Sequence, residues 1–155
     1  MSEYIHKSHN VSVIMYHFVC PAKYRRVIFS EEVDKTLKTV CEEISKRYEI
    51  RFLEIGTDKD HVHFLIQSVP TYSPTKIITK VKSITAKEIF AKHPEIKEKL
   101  WGGEMWSDGY FVSTVSKEGS ENVIREYVKN QGTSENYEVL SKKQPQTNDQ
   151  ISLFD

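Results

Sequence analysis

The chain has 155 residues, 38% hydrophobic and 28% charged, with 22 basic side chains balancing 22 acidic ones for a formal net charge of zero. That length suits one domain with a real core and excludes two independent ones, and the charge balance excludes a globally basic nucleic-acid coat, so any such binding must use a local patch. Cys20 and Cys41 are isolated thiols without CxxC spacing, which indicates neither a zinc knuckle nor a disulfide framework and fits a reducing cytoplasm. Residues 1–10 show no signal-peptide run, and no segment approaches the length of a membrane span.

In chain order, residues 10–19 are rich in β-branched and aromatic side chains and read as a strand closed by Cys20-Pro21. Ser30 offers an N-cap, Glu31 and Glu32 suit a first helical turn, and Val33, Leu37, Val40, Cys41 and Ile44 recur at helical spacing up to about Tyr48. Residues 49–56 and 61–69 are apolar runs around Thr57-Asp58-Lys59-Asp60, the composition of a hairpin loop. Ser73-Pro74 starts a second helix, carried by Ile77, Val81, Ile84 and Ile89 to about Lys92 and interrupted by His93-Pro94. A loop over residues 100–109 leads to a strand over 110–115. A third helix follows over 121–131, with Ser120 as its cap and Gly132 as its stop. From Thr133 onward polar residues dominate, so the expected division is a domain over 1–132 and a polar tail over 133–155.

Strand, helix, strand, strand, helix, strand, helix is the ferredoxin-like pattern with one helix added, an α+β fold with a mainly antiparallel sheet and helices packed on it. That fold hosts many functions and decides none of them. Candidate chemistry begins with Asp60-His61-Val62-His63, where a strand's period of two points both imidazoles from one face. In the last helix Val123, Ile124, Tyr127, Val128 and Gln131 share one stripe, so Tyr127 and Gln131 are neighbours one turn apart. Tyr127 alone reads as a core tyrosine with its hydroxyl at the boundary. The amide oxygen of Gln131 is chemically able to complete the coordination of a metal held by two histidines. Lys76, Lys80, Lys82, Lys87 and Lys92 face only Glu88 in their stretch, and Lys23, Arg25 and Arg26 form a second basic cluster. His17, on the first strand, is an accessory candidate.

Four blocks in order carry a family resemblance: Cys20-Pro21-Ala22-Lys23-Tyr24-Arg25-Arg26, the segment from Thr57 to Ile66 with the histidine pair, the aromatic segment over 106–115, and Tyr127-Val128-Lys129-Asn130-Gln131. The chain resembles the single-tyrosine HUH transposases of insertion sequences 200 and 605, with Ala22 interrupting a basic motif that is usually continuous. The resemblance implies an enzyme that cleaves and rejoins single-stranded DNA at insertion-sequence ends, recognising DNA hairpins. Tyr127 would be the nucleophile, giving a 5′-phosphotyrosine and a free 3′-hydroxyl. His61, His63 and Gln131 would be the metal ligands. Magnesium or manganese is the implied metal, whereas imidazole softness alone favours zinc or a late transition metal. It further implies a homodimer with active sites shared between subunits, phosphate contacts from Lys23, Arg25, Arg26, Lys76, Lys80 and Lys82, and neither a nucleotide cofactor nor a membrane partner.

Two other readings compete. A non-catalytic ferredoxin-like module that binds single-stranded nucleic acid would stack bases on Tyr110 and Phe111. It leaves the histidine pair, Tyr127 and Gln131 unexplained. A metal-dependent hydrolase without covalent catalysis would need Asp58 or Asp60 as further ligands, and both read better as hairpin-loop residues.

Overall fold

The computed structural model describes residue 5 and residues 11–100, 102–116 and 121–131. Its strands are β1 (Ile14–Pro21), β2 (Arg51–Thr57), β3 (His61–Ser68) and β4 (Phe111–Val115). The helices are α1 (Glu31–Arg47), α2 (Pro74–Lys92), α3 (Pro94–Lys99) and α4 (Glu121–Lys129), and a 3-10 turn spans Lys23–Arg25. The strands form one sheet in the order β2-β3-β1-β4, every neighbouring pair antiparallel. This is the expected ferredoxin-like α+β arrangement. The expected tail, with Ser120 and Gly132, lies outside the described residues.

Alternation along β1 and β3 gives the sheet two different faces. Phe18, Phe64 and Ile66 face one way and pack with Leu37, Val40 and Ile44 of α1 and Ile77, Ile78, Val81 and Ile89 of α2. Met15 and Leu65 face the other way, joined by Leu53 and Val115, and are covered by Ile124, Tyr127 and Val128 of α4. Both long helices start as the sequence indicates. The Ser30 hydroxyl accepts from Val33 N at 3.3 Å and the Ser73 hydroxyl from Lys76 N at 3.1 Å, each satisfying a first-turn donor.

Three local readings shift. β1 is displaced towards the C-terminal side of its expected span, and Pro21 is its last residue, opposite His61 and beyond the last β4 pair, where its missing N–H breaks no central ladder. β2 carries a register shift between Phe52 and Glu54, a bulge that places Leu53 in the cluster under α4. Instead of ending helical structure, His93-Pro94 separates two helices. His93 N donates to Ile89 O at 2.7 Å to close α2, and Pro94 then sits in the first turn of α3, which buries Ile96.

Candidate active site

Because β3 lies inside the sheet, its side chains are held from both flanks, and the residues on its α4 face start with His61 and His63. His63 is paired across the sheet with Val19 on one side and Gly56 on the other. His17 enters the same face from β1, its Nε2 2.9 Å from His63 Nδ1, with the two rings stacked at 5.1 Å. His17 and His63 are buried, at 5% and 4% exposure. Burial pulls His17 down to about 4, and burial, reinforced by the neighbouring His17 and His61, holds His63 well below the ordinary histidine range. Both rings are therefore neutral at neutral pH, the form in which imidazole binds a metal.

Tyr127 descends onto this group from α4. Its ring meets His63 edge-on with centroids 5.1 Å apart and lies 6.2 Å from the ring of His17. One turn later, Gln131 Nε2 is 3.4 Å from His61 Nε2, while Gln131 Oε1 is buried with no hydrogen-bond partner among the described residues. A buried acceptor without a donor costs about 1–3 kcal/mol. A bound cation would offset that cost. Among the described residues no three of His, Cys, Asp and Glu cluster to hold a metal; the donors placed together here are the imidazoles of His61 and His63 and the amide of Gln131. Such a neutral nitrogen and oxygen set fits a divalent ion.

The other ring nitrogen of His61 is engaged. Its Nδ1 lies 2.7 Å from Asp60 Oδ1, and Asp60 Oδ2 accepts from Arg25 Nε at 3.1 Å. Partial burial would raise the Asp60 pKa, yet hydrogen bonds from His61 and Arg25, with the charge of Arg25, outweigh it and hold the carboxyl below its usual range. Arg25 reaches Asp60 from a turn in which Tyr24 and Arg25 both adopt left-handed backbone, at φ of 57° and 53°.

Two contacts that sequence reasoning did not anticipate set the position of α4. A Cβ at Gly56 would collide with the carbonyl oxygen of Val128 and stand 2.7 Å from Gln131 Cβ, so only glycine lets the end of α4 approach the strand this closely. Arg125 Nε donates to Glu54 Oε1 at 2.9 Å, fastening the helix to β2. A glycine inside a strand is the one signal in the sequence that pointed to such an approach.

The basic residues divide differently from expectation. Lys82 Nζ donates to the carbonyls of Ser107 at 2.8 Å, Gly109 at 3.1 Å and Asp108 at 3.5 Å, so its charge supports the loop before β4. Lys23 Nζ is 2.9 Å from Glu104 and 3.8 Å from Asp108. Lys76 and Lys80 lie over the rings of Tyr72 and Tyr48 at 4.7 and 4.4 Å. Both sit in the helix layer, with the sheet between them and the histidines. Arg26 is exposed beside the Arg25–Asp60 contact.

Residues 10–131 match the family model described as "Transposase IS200 like". The chain belongs to the IS200-like transposases. Among its relatives in that family, the ISDra2 transposase TnpA of Deinococcus radiodurans is 31% identical over 120 residues, covering 77% of this chain and 85% of that one. The transposase for insertion sequence element IS200 of Salmonella typhimurium is 28% identical over 116 residues, 75% of each chain. A solved structure of a candidate transposase from Deinococcus radiodurans R1 has a TM-score of 0.66 at 26% identity, over 83% of this chain and 98% of that one. The fold is also shared with a REP-associated tyrosine transposase solved with a REP hairpin, at a TM-score of 0.55 and 10% identity over 83% of this chain and 70% of that one. The span that matches the IS200-like model contains His61, His63, Tyr127 and Gln131. Among the described residues no helix is long and apolar enough to cross a membrane.

Proposed function

We propose that this IS200-like transposase cleaves and rejoins single-stranded DNA at insertion-sequence ends, working in the cytoplasm through a covalent 5′-phosphotyrosine on Tyr127. His61, His63 and Gln131 would hold Mg2+ or Mn2+. The observation that carries this reading is the convergence of α4 on β3: the Tyr127 ring lies 5.1 Å from that of His63, and the Gln131 amide lies against His61 with a buried oxygen that has no donor among the described residues. A bound divalent ion would supply positive charge to the scissile phosphate and orient it.

In the cleavage step the phenolic oxygen of Tyr127 bonds to phosphorus while the bond to the 3′-oxygen breaks. The phenol loses its proton and the departing 3′-oxygen gains one. Because the phosphotyrosine is itself an ester, attack by another 3′-hydroxyl reverses the step and joins a new strand with no nucleotide cofactor. Tyr127 is 7% exposed, its ring covered where α4 packs on the sheet. We further propose a homodimer in which α4 is exchanged between subunits to form shared sites.

Recognition of a DNA hairpin is proposed on the fold shared with the REP-hairpin complex. Arg26, Lys76 and Lys80 are the proposed phosphate contacts. Lys23, Arg25 and Lys82 already meet internal acceptors and act first as supports.

Incubation of hairpin-bearing single-stranded DNA with the chain and Mn2+ is expected to give a protein–DNA adduct that resists denaturant. Tyr127→Phe should abolish it, and His61→Ala and His63→Ala should each do the same while the fold persists. Cleavage that survives Tyr127→Phe would instead identify a hydrolase using solvent as nucleophile. Binding without cleavage across many DNA ends would identify a binding module.

A further inference from the structure

A histidine binds a metal through the ring nitrogen that carries no proton, so whichever group takes the proton of one nitrogen decides whether the other is available. In both histidines of the pair the Nδ1 atom is the occupied one. His61 Nδ1 is 2.7 Å from Asp60 Oδ1, and His63 Nδ1 is 2.9 Å from His17 Nε2. An ionised carboxylate can only accept, so the His61 contact places a proton on Nδ1 and leaves the lone pair on Nε2. That Nε2 is the atom facing the Gln131 amide at 3.4 Å.

The carboxylate is itself aligned. Arg25 Nε holds its second oxygen at 3.1 Å, and Asp60 O accepts from Ala22 N at 2.8 Å, tying the residue before His61 to the chain just after β1 by main chain and side chain together. At His63 the partner is another imidazole, so the tautomers of the two rings decide which nitrogen donates. With His63 as donor its Nε2 is open. With His17 as donor, the remaining proton of His63 would sit on Nε2 and close that position. His17 is too deeply buried to exchange this contact for water.

The geometry points to Asp60, aligned by Arg25, as a positioning residue that holds His61 as its Nδ1–H tautomer and presents the Nε2 lone pair to a divalent cation, with His17 fixing the ring of His63 beside it. Neither Asp60 nor His17 touches the reacting atoms. Their contribution is to set the direction of two ligands, and at His61 the basicity, before any ion or DNA arrives. The inference rests on the metal reading proposed above, but the tautomer is a property of the metal-free chain.

The test has two parts on the full chain. Long-range proton–nitrogen correlation spectra of the metal-free protein are expected to show protonated Nδ1 and unprotonated Nε2 for His61. Calorimetric titration with Mn2+ alone should then give an affinity that Asp60→Ala weakens by about 10–100-fold, that Asp60→Asn largely keeps through its amide oxygen, and that Arg25→Ala lowers less. His17→Gln, which keeps an acceptor, should retain more affinity than His17→Leu. Asp60 lies in the hairpin loop, so its substitutions answer the question even where His17→Leu does not fold. Spectra showing Nε2–H on His61 in the wild-type chain, or an Asp60→Ala affinity within twofold of wild type, would overturn the assignment. A wild-type chain with the expected tautomer but no Mn2+ binding would overturn the metal reading and leave the tautomer assignment standing.

Discussion

The two faces of the sheet are built to different rules. Under α1 and α2 the strands present Phe18, Phe64 and Ile66 to a continuous apolar layer, where the buried polar Thr85 hydroxyl accepts from Trp106 Nε1 at 3.0 Å and donates to Val81 O at 2.6 Å. Under α4 the same strands present His17, His61 and His63, the helix adds Tyr127, and the turn after it adds Gln131, whose buried oxygen has no partner among the described residues. The first face gains from burying apolar area. The second gives up part of that gain to keep neutral polar groups converging, as a functional site does when it costs stability.

Truncating Phe64 to alanine should break the apolar face outright, costing about 3–5 kcal/mol as a lower urea midpoint, whereas Tyr127→Phe should leave the midpoint nearly unchanged. Equal losses from the two would mean that the α4 face also carries the fold. Gly56→Ala should cost about 1–3 kcal/mol by forcing α4 away from the strand, and it should abolish the DNA adduct even though residue 56 touches no substrate. A fully active Gly56→Ala protein would show that the close approach is dispensable. Gln131→Met should gain about 1 kcal/mol by removing the orphaned oxygen, while Mn2+ binding measured by calorimetry disappears.

Acid offers the mildest probe. The His17 pKa is lowered by burial from 6.5 to about 4 in the folded chain, so between those values the unfolded chain holds a proton that the folded one refuses. Stability of the metal-free protein should therefore be full above about pH 6.5, fall as pH drops, and finish losing this contribution near pH 4. A urea midpoint that rises between pH 7 and pH 5 would show that the buried rings are charged in the fold.

Much of this was legible because it was local. The caps at Ser30 and Ser73, the helical spacing of Val33 to Ile44 and the two-residue period of His61 and His63 depend on neighbours in the chain, and the structure follows them. What the sequence concealed depends on groups far apart. That Lys82 ends on three carbonyls of the loop before β4, or that Arg25 aligns Asp60, follows from tertiary distance, and a row of basic side chains reads the same whether it faces DNA or its own backbone. Asp60 was legible as a turn residue and is one. Its second oxygen and the ring beside it give it more to do. The short α3 was hidden by proline, which ends one helix and is equally suited to begin the next.

The ion pair between Arg125 and Glu54 has a kinetic side. Half of the site belongs to an internal strand whose amides are bonded on both flanks, and the other half rides on nine residues of helix fastened at one edge by a guanidinium. Local opening is cheapest where few buried contacts are lost. Amide hydrogens of α4 should therefore exchange with solvent well before those of β3, and the chain should spend a measurable fraction of its time as an intact ferredoxin-like domain with the candidate site taken apart.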